Sequence, residues 1–330
     1  MKRLNVLLIV GLLIGMLALS TGAATLKIGI CKIVEHPALD AVEQGVIDAL
    51  TAAGYERDVD VEYLLASAQG DFGTAVTIAQ DFLARGVDLV VAIATPTAQA
   101  AAQVFQGSDV PVIYAAVTDP VDAELVLSTT DPSGNLNVTG VSDMIPVAAQ
   151  LGLLLELLPD VTRVGMVYNP GESNSVILTD MAIAAAPGLG IEIITATADT
   201  TANVPLAAQS LIGRVDAYYV TTDNAVVSAI ESVLSAAIEA GVPFLVADPT
   251  SLESATMAAG FDYYDVGLTA GDIVLSVLSG TLPNEIPVTF VTGGQVHLNL
   301  DVAGEIGLEF PVSLIEKATS ILYGGTLFSK

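Results

Sequence analysis

The chain is poor in the residues that most chemistry needs. Its 330 residues include one cysteine, two histidines and ten lysines and arginines. A lone cysteine excludes an intrachain disulfide. Cys31 also lies inside an apolar run, the setting of a small core hydrophobe rather than a reactive thiol. Two histidines and one cysteine cannot make a His/Cys-rich metal site. The motifs H-E-x-x-H, G-x-S-x-G and G-x-x-x-x-G-K-[ST] are absent, as is any paired-cysteine zinc spacing. No metal or cofactor is therefore expected. Ten basic residues face 37 acidic ones, a formal charge of -27, which repels nucleic acid and anionic membranes. Charged residues make up only 14% against 52% hydrophobic, which excludes intrinsic disorder.

Long apolar runs are also missing, except at the start. Lys2 and Arg3 precede an apolar stretch from Leu4 to about Ala18, followed by the small residues Ser20-Thr-Gly-Ala-Ala24. That is the layout of a cleaved signal peptide over residues 1–24, and the apolar part is shorter than the roughly 20 residues a spanning helix needs. An uncleaved anchor is the alternative. The rest of the chain reads as an exported, soluble protein.

What is present is a repeat. Asp88-Leu-Val-Val-Ala-Ile-Ala-Thr95-Pro-Thr97 and Asp216-Ala-Tyr-Tyr-Val-Thr-Thr222-Asp223-Asn224 each run from an apolar segment into small polar residues and then an Ala-rich helical pattern. The apolar segments are too short for helices and read as buried parallel strands. Lys27-Ile-Gly29 resembles Arg163-Val-Gly165, and Val110-Pro-Val-Ile-Tyr-Ala resembles Val242-Pro-Phe-Leu-Val-Ala. The three matches keep nearly one offset. They predict two similar lobes, each a parallel sheet flanked by helices: an α/β fold with two sets of strand ends facing one cleft.

The local pattern supports that reading. Strands are expected at Leu26–Ile33, Val59–Ala66, Leu89–Ala94, Val112–Ala116 and Val138–Val141, then at Val164–Tyr168, Ile191–Thr195, Ala217–Thr221, Phe244–Ala247 and Ala258–Phe261. Helices are expected between them. They include one to about Ala185, one over Val226–Glu239, one over about Val266–Leu278 and a last one near Val312–Ile321.

Several segments occur in a telling order. They are Ile33-Val-Glu-His-Pro-Ala-Leu-Asp40, Ala92-Ile-Ala-Thr-Pro-Thr-Ala-Gln-Ala100, Ala116-Val-Thr-Asp-Pro120, Val138-Thr-Gly-Val-Ser-Asp143, Tyr168-Asn-Pro-Gly-Glu-Ser-Asn174, Thr222-Asp-Asn-Ala225 and Gly260-Phe-Asp-Tyr-Tyr264. Together they resemble the ABC-transporter substrate-binding protein family with a type I periplasmic-binding fold, some of whose members bind tryptophan and other aromatic amino acids. The resemblance implies a three-segment hinge, with crossings near Ser142, Phe261 and Pro287–Val291. It implies one lobe of residues 25–142 plus 263–291 and another of 143–262 plus 292–330. It also implies a small-molecule ligand, best taken as an aromatic amino acid, a membrane ABC permease as partner, and a monomer. A branched aliphatic amino acid or other small solute as ligand, and a ligand-sensing module for a membrane signalling partner, are the alternatives. The low Lys and Arg content departs from the family's usual pattern.

The strand ends supply the candidate ligand contacts. An amino acid needs a carboxylate for its ammonium and donors for its carboxylate. Thr95, Thr97 and Thr118, with nearby backbone N–H groups, are assigned to the ligand carboxylate, and Asp143 and Asp223 to the ammonium. Asn169, Asn174 and Asn224 add hydrogen bonds. Glu35, His36, Ser173, Asp119, Asp248 and Phe261 complete the set. Each has a second reading. Thr97, Ser173, Asn174, Asp223 and Asn224 also suit helix caps, and Asp119 and Asp248 each precede proline and suit turns. Asp143 also suits the hinge, Phe261, Tyr263 and Tyr264 also suit core packing, and His36 also suits a turn. A hydrolase built on His36 has no supporting motif.

Overall fold

A computed structural model describes residues 25–135 and 137–330. The signal-peptide reading of residues 1–24 lies outside the described residues. Among the described residues, fourteen strands form two sheets. The first contains β1 (Leu26–Lys32), β2 (Val61–Ser67), β3 (Leu89–Ile93), β4 (Val112–Val117), β5 (Val138–Ser142) and β11 (Thr289–Phe290). Its order is β11-β5-β4-β3-β1-β2, with every pair parallel. All five residues of β3 are buried, as a strand covered on both faces requires.

The second sheet contains β6 (Arg163–Tyr168), β7 (Glu192–Thr197), β8 (Ala217–Val220), β9 (Phe244–Val246), β10 (Met257–Gly260), β12 (Gln295–Asn299), β13 (Ser320–Tyr323) and β14 (Thr326–Ser329). Its order is β14-β13-β12-β10-β9-β8-β6-β7. Only β10/β12 and β13/β14 pair antiparallel.

Helices cover both faces of each sheet. α1 (Pro37–Ala52), α2 (Phe72–Ala84) and α3 (Thr95–Val104) belong to the first sheet. α4 (Val147–Leu157), α5 (Ser173–Leu189), α6 (Val204–Gln209), α7 (Asn224–Val227) and α8 (Ile230–Ala240) follow on the second. α9 (Tyr263–Leu278) returns to the first sheet and packs on α1, and the short α10 (Leu300–Glu305) and α11 (Val312–Lys317) lie on the second. Each sheet thus separates two apolar layers. The chain passes between sheets three times: from β5 to α4, from β10 to α9 and from β11 to β12.

The sequence repeat is a structural repeat. Asp88 accepts the Lys27 N–H at 2.7 Å through its carboxylate, and Asp216 accepts the Arg163 N–H at 2.8 Å in the same way. The Asp88 and Asp216 N–H groups donate back to the Lys27 and Arg163 carbonyls, both at 2.8 Å. Each pair therefore locks two adjacent strands at their starts.

Three local features differ from the sequence reading. The helix expected to stop near Ala185 runs through Pro187 to Leu189, and Gly190, at φ 74°, ends it in the left-handed region. The helix expected over Val226–Glu239 is broken at Ser228-Ala229, giving α7 and α8. The expected C-terminal helix stops at Lys317, and β13 and β14 follow as a hairpin. Its turn is Gly324-Gly325, at φ 58° and 69°, a pair of left-handed residues as a tight hairpin demands. The Asp301 carboxylate accepts both turn N–H groups, at 2.8 and 2.9 Å.

Candidate functional site

The carboxyl ends of the parallel strands converge on a narrow pocket between the two sheets. Ligands of open α/β sheets bind at such ends. The first lobe contributes His36, Ala38 and Leu39 at the start of α1, and Ala116 and Thr118 at the end of β4. The second contributes Asn174, Val227, Asp248 and the run Thr222-Asp223-Asn224. Asp143, just after β5, and Tyr263, at the head of α9, stand where the chain crosses between sheets.

Asp143 is 2% exposed. Its Oδ2 accepts the Tyr263 hydroxyl at 2.9 Å, while its Oδ1 is buried and has no partner. Burial raises its pKa from 3.8 to about 6. The same hydrogen bond ties the first crossing to the second. Tyr263, itself buried, is pushed far above the usual phenol range and stays a donor.

Asp223 presents a contrast. Its Oδ2 accepts the Asn169 N–H at 2.6 Å and the Ser175 hydroxyl, and its Oδ1 accepts the Val226 N–H at 2.9 Å, capping α7. Both oxygens are occupied by the protein. Burial, and then the neighbouring Glu172, push its pKa up.

Glu172 is the residue that sequence reasoning missed. Its carboxylate accepts Asn169 Nδ2 and Asn174 Nδ2, both at 3.2 Å, and Asn224 Nδ2 at 2.5 Å. It also accepts the Asn224 and Ala225 N–H groups at 3.3 and 3.2 Å. It thus orders two asparagines of the pocket wall and fixes the first turn of α7. The only signal was its place in the polar run Asn169–Asn174. Thr222 and the apolar wall of Ala38, Leu39, Ala116 and Val227 were also not assigned as contacts.

The other candidates divide cleanly. His36, Thr118, Asp143, Asn174, Asp223, Asn224 and Asp248 line the pocket. Thr95, Thr97, Asp119, Asn169, Ser173, Glu35 and Phe261 lie outside its wall. The Thr97 hydroxyl donates to the carbonyls of Ile93 and Ala94 and so supports Ala94 at φ 78°. Asp119 accepts the Val121 and Asp122 N–H groups at 3.0 and 3.1 Å, the turn role. Asn169 Oδ1 accepts the Gly171 N–H at 2.9 Å. Thr95 Oγ1 and Ser173 Oγ are buried without partners, Glu35 is exposed, and Phe261 packs in the second sheet's core. Asp248 spends its oxygens on Thr250 N, Thr250 Oγ1 and Ser251 Oγ at 2.7–2.9 Å.

Four wall atoms are buried without a partner: His36 Nδ1, Asp143 Oδ1, Asn174 Oδ1 and Thr222 Oγ1. Buried polar atoms are normally satisfied, so four on one wall give it hydrogen-bonding capacity for water or a polar ligand. The wall carries three aspartates and no lysine or arginine. Among the described residues no group of three or more His, Cys, Asp or Glu could hold a metal ion, and no helix is long and apolar enough to cross a membrane.

Two-lobed α/β topology, three passes and a pocket between the sheets define a solute-binding protein of the type I periplasmic-binding fold. Residues 27–322 match the ABC transporter substrate binding protein family, and the chain belongs to it. It is 36% identical over 284 residues to a tyrosine-binding protein of Clostridioides difficile, covering 86% of this chain and 81% of that one. The crystal structure of an ABC domain with L-Trp from Streptococcus pneumoniae matches with a TM-score of 0.85 at 32% identity, covering 91% of this chain and 100% of that one. A ligand-free, open substrate binding protein from Clostridium difficile matches with a TM-score of 0.67 at 33% identity, covering 89% and 98%.

Proposed function

We propose that the protein captures an aromatic amino acid between its lobes, outside the cytoplasmic membrane, and delivers it to an ABC permease. The lobes are residues 25–142 plus 263–291 and residues 143–262 plus 292–330, preceded by an export signal. The observation that carries the reading is Asp143 Oδ1, a buried carboxylate oxygen without a partner in the pocket between the sheets. A ligand ammonium satisfies it, and Asn174 Oδ1 gives that ammonium a second acceptor. The apolar wall and the Tyr263 ring receive the side chain. Ligand touches both lobes only when they are together, so it shifts the equilibrium toward closure.

The two solved relatives support this account. Their identities to this chain are nearly equal, yet the ligand-bound one superposes far better. The arrangement described here is therefore read as the closed one. Tyrosine and tryptophan, the ligands named for the relatives, set the ligand class.

The chain has no tryptophan, so L-tryptophan's own emission reports its binding without background. Protein unfolded and refolded to remove co-purified ligand should bind L-tryptophan saturably. L-Tyrosine and L-phenylalanine should compete, and leucine, isoleucine and valine should not. Equal competition by the aliphatic amino acids, or no binding of any aromatic, would overturn the ligand class.

A further inference from the structure

The pocket has an evident place for an ammonium but no lysine or arginine for a carboxylate. Three helix starts can be weighed as the substitute. The first turn of α7 is already capped by Asp223 and faces the Glu172 carboxylate. α9 is capped by Asp262, which accepts the Tyr264 N–H at 2.9 Å. α5 begins at Ser173, next to Glu172, whose charge opposes an anion.

α1 differs from these. It is 16 residues long and has no side-chain cap, and its first-turn residues Ala38 and Leu39 face the pocket. Pro37 has no N–H and the Asp40 N–H donates to the His36 carbonyl, so the Ala38 and Leu39 N–H groups are the ones without an intrahelical partner, at the positive end of the helix dipole. The N-cap residue is His36. It is 9% exposed, lines the pocket, and keeps its Nδ1 buried without a partner.

The acids around this end are Asp248, Asp40 and Glu172, and each is already engaged, Glu172 by three asparagine amides and the Ala225 N–H. Asp248 accepts from Thr250 and Ser251, and Asp40 is paired with Lys32 Nζ at 2.6 Å. α1 also packs on α9, which begins at the Tyr263 that holds Asp143.

We infer that the ligand's carboxylate is bound at the N-terminus of α1, by His36 Nδ1–H and the free first-turn N–H groups, in place of a basic side chain. This rests on the amino-acid reading above. It assigns the carboxylate to a different element from Thr95 and Thr97. His36 is thereby a specificity residue: it separates an α-amino acid from the amine that lacks its carboxylate.

The test compares L-tryptophan with tryptamine, which keeps the indole and the ammonium and lacks only the carboxylate. Wild-type protein should bind L-tryptophan at least about tenfold more tightly than tryptamine, as loss of one charge-assisted contact implies. His36→Ala should weaken L-tryptophan about tenfold and leave tryptamine within about twofold. His36→Gln, which restores an N–H donor, should recover part of the loss. Equal weakening of both ligands would show that His36 only packs the pocket, and equal affinity of the wild type for both would remove the carboxylate site. The wild-type comparison needs no variant, so it stands even if a His36 variant fails to fold. Binding of neither probe to the wild type would sink the aromatic amino-acid reading and this assignment with it.

Discussion

Asp143 gives one oxygen to Tyr263 and leaves the other without a partner, so in the proposed site its proton is linked to both stability and affinity. Its pKa is raised on folding, from 3.8 to about 6. Below about pH 4 the group is protonated in the folded and the unfolded chain, and it costs nothing. As pH rises toward 6 the unfolded chain ionises first, and above about 6 the fold holds a buried charge. The ligand-free protein should therefore lose roughly 3 kcal/mol of stability across that window, at about 1.4 kcal/mol per pKa unit. Denaturant unfolding of Asp143→Asn beside wild type should show the loss in wild type only. Ligand affinity runs the other way, because an ammonium needs the ionised form. At pH 5 the wild-type Kd for L-tryptophan should be about tenfold weaker than at pH 7. Asp143→Asn should bind weakly at both. Burial also raises the pKa of Asp223 and lowers that of His36, so the difference between variant and wild type is the quantity to read.

Much of the site was legible residue by residue, and the limit is physical. The rule that ligands meet strand ends singled out His36, Thr118, Asp143, Asn174, Asp223, Asn224 and Asp248, which line one pocket. It could not separate Asp143 from Asp223. That distinction depends on which N–H groups come within reach of each oxygen, and composition does not encode it. Glu172 escaped notice because it bonds across the gap to Asn224 and Ala225, about 50 residues away in the chain.

Among elements, the α1–α9 pair governs the pocket's geometry. α1 presents Ala38 and Leu39 to the ligand, and α9 starts at Tyr263. Three glycines let the helices approach closely. A Cβ at Gly45 would lie 2.4 Å from the Tyr264 carbonyl oxygen, one at Gly267 2.3 Å from that of Val42, and one at Gly271 2.4 Å from Ala49 Cβ. Backbone cannot yield as a flexible side chain can. Gly267→Ala should therefore cost about 1–3 kcal/mol in denaturant unfolding, despite alanine's better helix propensity. An unchanged midpoint would mean that the two helices have room to separate. The C-terminal hairpin shows how an element was misread. The helix expected near Val312–Ile321 runs over Val312–Lys317 and overlaps the first strand only at Ser320-Ile321, and the Gly324-Gly325 turn decides for strands beyond it.

For the whole molecule, the internal repeat made two α/β lobes legible from sequence, and the Asp88 and Asp216 locks show why it persists. The three passes were expected from the resemblance near where they occur, but the side chains that meet between the sheets were not legible, because that depends on the packing of both lobes. Conditions also matter at this scale. A charge of -27 makes the two lobes repel each other, so closure should become easier as salt is added.

Small-angle X-ray scattering of refolded protein, with and without saturating L-tryptophan, tests closure most directly. The account predicts that ligand lowers the radius of gyration and brings the profile to that of the structure described here. Scattering that does not change while the emission titration shows saturation would contradict capture by lobe closure.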